Sequence, residues 1–267
     1  MSYMKRLDEA RNSFKNKNLE AARKAHSPEA ILSAPEEHGG TGDQYIGDIV
    51  YGGLDGVVTT FAAVSGVAGA ALGPNIILIM GFANLLADGF SMATGAYLSD
   101  KSEQEYYDRE RTRESWEVDN FPEGEKLELT TVYKNEGFSE PDAVEMVNII
   151  SKQKKTWVDN MMVHELSLLK SEKNPLRTAL STFGAFVVAG LVPMLIFLIR
   201  LIVPIPENTS FLISGILAGV ALFGLGAAKV RVTGLNPWRS GLEMLVTGGL
   251  AAAVAYVVGM LLKGIGV

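Results

Sequence analysis

The residues best equipped for chemistry are carboxylates at helical spacing. Glu110, Glu114 and Glu117 fall at i, i+4 and i+7 of one charged stretch, so they share a helix face. Glu125 and Glu128 lie three apart in the next stretch, and Glu165 follows Met161 and Met162 in a third. Carboxylate oxygens alone suit calcium, magnesium or manganese, whereas added thioethers tilt the choice toward ferrous iron or a similar transition metal. The plainer alternative is that these glutamates are solvated helix surface and the two methionines are core. A second set lies in apolar sequence. Asn84, Asp88 and Met92 recur every four residues, one stripe of a helix, and Asp55 stands in an earlier apolar run. A carboxylate in hydrocarbon is costly unless paired, hydrated or protonated, so such residues point to an ion or proton path. The alternative for Asp55 and Asp88 is satisfaction by hydroxyl or backbone groups of a neighbouring helix.

The elements that must position these groups can be read from where the apolar residues gather. A hydrocarbon core of about 30 Å takes about 20 helical residues to cross. Five runs meet that requirement, 46–72, 74–97, 176–199, 210–228 and 240–262, and five such runs do not fit one globular core. The expected fold is an all-α polytopic membrane protein with five transmembrane helices. A helical, cytoplasmic metal-binding domain is inserted between the second and third. The chain then divides into an N-terminal arm (1–45), two spans (46–99), the inserted domain (100–173) and three spans (174–267). No proline interrupts the chain from Asn75 to Asn120, and no glycine follows Gly95 there. One helix is therefore expected to leave the membrane and run on into water. Asp55 lies about nine residues inside the first span and Asp88 about nine from the opposite-running end of the second. At about 1.5 Å per residue both sit roughly 14 Å from the same membrane face.

Small residues at Gly52, Gly56, Ala62, Gly66 and Ala70 suit close helix approach in lipid. Three further helices are expected after Asn120: 123–135, ending at Gly137; one capped by Ser139 with Pro141 in its first turn; and 154–170, with Val158, Met161, Met162 and Glu165 on one face. Pro193 should bend the third span, 204–208 should be a loop, and 229–239 a basic loop. The arm reads as a short amphipathic helix followed by a loop through Pro35, Gly39, Gly40 and Gly42. His26 and His38 read as exposed histidines rather than ligands.

Charge excludes several functions. The 267 residues carry a net charge of −6, yet 100–172 holds 18 acids against 10 Lys or Arg. That segment attracts cations and repels nucleic acid, so no nucleic-acid partner is expected. Cysteine is absent, which removes disulfides and thiolate sites. Neither G-x-S-x-G nor a Walker loop is present, so the chain does not read as an enzyme and any transport must run on gradients. A ferritin-like di-iron site wants Glu-x-x-His on two helices. His164 is the only histidine past His38, and Met161 stands three before it. The first 30 residues lack an apolar h-region, so no cleaved signal peptide is expected. Lys and Arg gather in the arm, around the inserted domain (Lys170, Lys173, Arg177) and at Lys229, Arg231 and Arg239, against Arg200 and Lys263 elsewhere. With five spans, those basic sides share one face, which places the N-terminus and the inserted domain in the cytoplasm.

The segments YGGLDGVVTTFAAVSG, ADGFSMATGAYLSDKSEQEYYDRE and WVDNMMVHE resemble the vacuolar iron transporter family, and the resemblance runs from Ile46 to the C-terminus. It implies five spans per subunit, a homodimer in the lipid bilayer, and a cytoplasmic metal-binding domain. It implies export of ferrous iron, often also manganese, coupled to protons, with metal as cargo and domain ligand and no prosthetic group. Carried over by position, the pore aspartate is Asp55 and the pore methionine Met92. The domain ligands are Glu114, Glu117, Glu125, Glu128, Met161, Met162 and Glu165. One departure stands out: many members have a glutamate where this chain has Asn84, and an acid appears one turn later as Asp88. The reading is that Asp88 takes over that role. The membrane would be vacuolar in a eukaryote and the plasma membrane in a prokaryote. The alternatives are a membrane-tethered iron-binding or sensing protein without transport, and a membrane-bound, ferritin-like iron oxidase.

Overall fold

The computed structural model describes residues 3–33, 43–233 and 236–263, and every regular element among them is helical. The chain forms two compact units, Met1–Ile46 and Gly47–Val267. In the first, the single arm helix expected is three short ones, α1 (Tyr3–Lys15), α2 (Leu19–Ala25) and α3 (Pro28–Ser33). The reason is local. Lys17 adopts a φ of 53°, and the Asn18 side chain accepts the Ala21 N–H at 3.0 Å, starting a new helix. His26 is exposed, with Nδ1 2.8 Å from the Ala22 carbonyl oxygen. His38 and the loop residues Pro35, Gly39, Gly40 and Gly42 lie outside the described residues.

The second unit contains α4 (Ile46–Gly69), α5 (Pro74–Asn120), α6 (Pro122–Asn135), α7 (Glu140–Ile150), α8 (Lys154–Asn160), α9 (Pro175–Ile199), α10 (Glu207–Thr233) and α11 (Pro237–Leu262). Among the described residues, five helices are long and apolar enough to cross a membrane: α4, α5, α9, α10 and α11. This is a membrane protein. Large apolar side chains such as Leu86, Phe90, Val188, Val220 and Val254 point outward, as lipid-facing residues do. The expectation of one continuous rod holds. α5 has 47 residues, and at 1.5 Å per residue it is about 70 Å long.

Glycines in α4 set the packing of the membrane helices. A Cβ at Gly52 would stand 2.6 Å from the Thr182 carbonyl oxygen, and one at Gly56 would collide with that of Phe186. Both contacts are with α9 backbone, four residues apart on each helix. Further along α4, Gly69 meets the Tyr256 backbone of α11 and Gly66 meets Gly259. These are the close approaches that small residues permit in lipid. Gly56→Val should therefore wedge α4 from α9 and destabilise the protein by about 1–3 kcal/mol. Thermal unfolding in detergent would show a lowered midpoint, and an unchanged midpoint would refute the contact. Within α9, Pro193 lies in the helix interior, and the Ser214 hydroxyl of α10 donates to its carbonyl oxygen at 2.7 Å.

Between α5 and α9 the short helices share a core of Val118, Leu129, Tyr133, Val147, Trp157, Met161 and Met162. Ser139 caps α7 as expected, and Gly137 takes the left-handed φ of 107° that ends the preceding turn. Three expectations are corrected. The helix expected over 154–170 stops at Asn160 and continues as a π-type turn, Met161–Glu165, with the Leu166 N–H bonded to the Met161 carbonyl oxygen at 3.2 Å. The fourth span begins at Glu207, inside the expected 204–208 loop. The basic loop over 229–239 is mostly helix, because α10 runs to Thr233 and Asn236 caps α11 by accepting the Trp238 N–H at 2.9 Å.

Candidate metal centre and membrane path

Three elements bring carboxylates together beyond the apolar half of α5. α5 supplies Glu114, α6 supplies Glu125 and the π turn supplies Glu165. One oxygen of each lies within 4.8 Å of the others. Glu114 is 1 % exposed and Glu125 6 %. Among the described residues, neither oxygen of Glu114 has a hydrogen-bond partner, nor has Oε2 of Glu125 or of Glu165. Buried acceptors without donors are rare in folded proteins and call for a partner. Burial and mutual repulsion leave their mark. Burial, then the neighbouring carboxylates, push Glu125 and Glu165 up to about 7; burial raises Glu114 as well, with the Arg113 charge opposing it and the other carboxylates adding to it. Such a triad favours either bound protons or a bound cation.

The other sequence candidates fall around this triad in different ways. Glu117 is partly buried and Glu128 exposed, and both carboxylates act electrostatically on Glu114 and Glu125. Glu110 stands apart. Hydrogen bonds from Arg109 and Arg113 engage its carboxylate and hold it below the usual range. Met161 and Met162 are fully buried in the helical core, at the start of the turn that delivers Glu165. A π turn adds a residue to the helical repeat and so re-aims the side chains after it, a device frequent at functional sites. Sequence reasoning missed Arg113. Its Nε donates to Glu110 at 3.0 Å and its Nη1 to Glu117 at 2.5 Å. Its Nη2 lies 2.6 Å from Glu114, off the line of a hydrogen bond. The signal was present in the spacing, since Glu110 and Glu117 are three before and four after it.

In the membrane half, Asp55 of α4 and Asp88 of α5 are both partly buried and lie within electrostatic reach of one another. Asn84 shares the α5 stripe, and its Nδ2 is buried without a hydrogen-bond partner among the described residues. Met92, one turn beyond Asp88, lines a cavity of about 390 Å³ with Asp48, Tyr51, Asp100, Thr178 and Thr182. The Lys173 ammonium bonds Asp48 at 3.1 Å, and the Thr178 hydroxyl donates to Asp100 at 2.5 Å. Asp100 and Lys173 were not legible as site residues, because each reads as an ordinary charge at a span boundary.

Five apolar helices, two partly buried acids within electrostatic reach among them, and a carboxylate triad drawn from the polar end of the second helix, α6 and the π turn define a multi-span membrane protein with an acidic helical appendage. The model of the VIT family matches residues 46–260, from the start of α4 almost to the end of α11, and the chain belongs to that family. It is 39 % identical to the vacuolar iron transporter of Toxoplasma gondii, over 96 % of this chain and 88 % of that protein. It is 31 % identical to the vacuolar iron transporter of Plasmodium falciparum, over 97 % of each. It is 32 % identical to vacuolar iron transporter 1 of Arabidopsis thaliana, over 85 % of this chain and 90 % of that protein. These relatives are named as transporters, not as enzymes.

Proposed function

We propose that the protein is a membrane transporter that exports ferrous iron from the cytosol in exchange for protons, with manganese(II) as a second cargo, and so serves iron homeostasis. The observation that carries this reading is the triad of Glu114, Glu125 and Glu165, gathered from three elements with four buried oxygens that accept no hydrogen bond among the described residues. Family membership and the names of the relatives support iron as the cargo. The triad captures metal on the cytosolic side, with Glu117 and Glu128 adding negative field. The Met161 and Met162 thioethers complete the site by turning out of the core, which favours a borderline transition metal over calcium or magnesium. The distribution of Lys and Arg supports a cytoplasmic arm and acidic domain.

From there the cation moves to the membrane path lined by Asp55, Asp88, Met92 and Asn84, between the α4 helices of two copies in a homodimer. Ionised Asp55 and Asp88 hold the cation. A proton arriving from the acidic side competes for the same oxygens and releases it, the ordinary linkage between a ligand's proton and its metal. The membrane is that of an acidic vacuole, or the plasma membrane where the cell has none.

Proteoliposomes test the proposal. With an acidic lumen, added Fe(II) should enter while lumenal pH rises. Metal binding without flux would leave a tethered binding or sensing protein instead, and oxygen consumption with Fe(II) would indicate an oxidase.

A further inference from the structure

We propose that Arg113 is a tethered counter-cation: in the metal-free protein its guanidinium holds the carboxylates that the incoming divalent cation must take, and loading displaces it. The inference rests on the metal-capture reading of the glutamate triad. Each of the three guanidinium nitrogens faces a different carboxylate, Glu110 at 3.0 Å, Glu114 at 2.6 Å and Glu117 at 2.5 Å. All three are candidate ligands by sequence, and Glu114 belongs to the triad itself. Without a cation, five glutamates gathered on α5, α6 and the π turn would repel one another, and Arg113 supplies the nearest positive charge.

Its position suits a charge that must leave. The Arg113 side chain is 44 % exposed while that of Glu114 is 1 % exposed, so the guanidinium reaches in from the rim. It also misses hydrogen-bond alignment with Glu114, so that contact is electrostatic and yields readily to a dication at shorter range. Arg109 offers an internal comparison. It carries the same charge on the same helix, but among the described residues its one carboxylate partner is Glu110, at 2.7 Å, and its guanidinium lies over the Tyr106 ring. Arg113 therefore sets the threshold concentration at which metal is captured, and keeps the empty basket from flying apart.

The test is Mn(II) binding to the full-length protein in detergent, followed by the loss of the free-ion paramagnetic resonance signal. Arg113→Gln should bind Mn(II) tighter by about tenfold, the equivalent of one partly buried charge pair. Arg113→Lys should fall between this variant and the parent protein, and Arg109→Gln should stay within about threefold of the parent. If Arg113→Gln moves no further than Arg109→Gln, the counter-cation role is wrong while the metal site stands. If the unaltered protein binds no Mn(II), the capture reading itself fails. A second readout needs no variant. Phenylglyoxal labelling of Arg113, followed by mass spectrometry, should accelerate when Mn(II) saturates the site, with Arg109 unchanged. Equal labelling of Arg113 in both states would overturn the proposal.

Discussion

Asp88→Asn should abolish metal-driven proton flux in proteoliposomes, lowering the initial rate by about a hundredfold or more. The side chain keeps its shape and loses the ability to ionise. Asp88 lies close enough to Asp55 for the two charges to interact, and no other acid of the α5 stripe stands at that depth, since position 84 is Asn. If metal and protons share the same oxygens, removing one of two carboxylates removes both the hold on the cation and the exchange. Asp55→Ala should be equally silent, whereas both variants should still bind Mn(II) at the glutamate triad. That pattern separates transport from binding. The double variant Asn84→Glu with Asp88→Asn moves the carboxylate back one turn and should restore part of the flux. Normal flux from Asp88→Asn alone would show that the acid at this position is satisfied by its neighbours and carries nothing.

The second large effect is on pH. Glu125 and Glu165 titrate near 7, so at pH 8 both are mostly ionised and at pH 6 both mostly protonated. A cation must displace those protons. Each group loses about a factor of ten in its ionised fraction between those two values, so the apparent Mn(II) affinity should weaken roughly a hundredfold from pH 8 to pH 6. Stability of the metal-free protein should run the other way. The folded state holds these protons more tightly than the unfolded chain, where glutamate titrates at its ordinary value. It therefore carries more protons between pH 5 and 8, and stability falls as pH rises through 7. Unfolding in the presence of a chelator should show a higher midpoint at pH 6 than at pH 8, and saturating Mn(II) should abolish that difference, because the metal-bound and unfolded states both hold these glutamates ionised over that range. Glu125→Gln, which cannot ionise, should flatten the metal-free dependence. An unaltered slope in that variant would assign the titration elsewhere.

Much of this architecture was written in simple patterns. Five apolar runs specify five long helices, because a continuous apolar run of about 20 residues satisfies its own backbone in hydrocarbon only as a helix, whereas a barrel strand needs about ten residues of alternating polarity. The α5 rod was legible because nothing between Asn75 and Asn120 breaks it. Gly52 and Gly56 were legible as a packing face. The triad was partly so: helical spacing put Glu114 beside Glu110 and Glu117, yet the fold groups Glu114 with Glu125 and Glu165 and leaves Glu110 to the arginines. That regrouping depends on how α6 and the π turn dock against α5, and intra-helix spacing carries no information about docking. The π turn itself was illegible, since the stretch from Lys154 has ordinary helical periodicity. Its extra residue is stabilised by the core into which Met161 and Met162 pack. Arg113 was overlooked because a basic residue among acids on a helix ordinarily marks solvated surface.

The uninterrupted length of α5 has a mechanical consequence. Twenty-six residues separate Asp88 from Glu114, about 39 Å of helix with no joint between them. A tilt of about 5° about one of these points displaces the other by about 3 Å, comparable to the length of a metal–oxygen bond plus its slack. The two acids belong to one lever, so any reorientation at its outer arm is delivered undiminished to the carboxylate inside the bilayer.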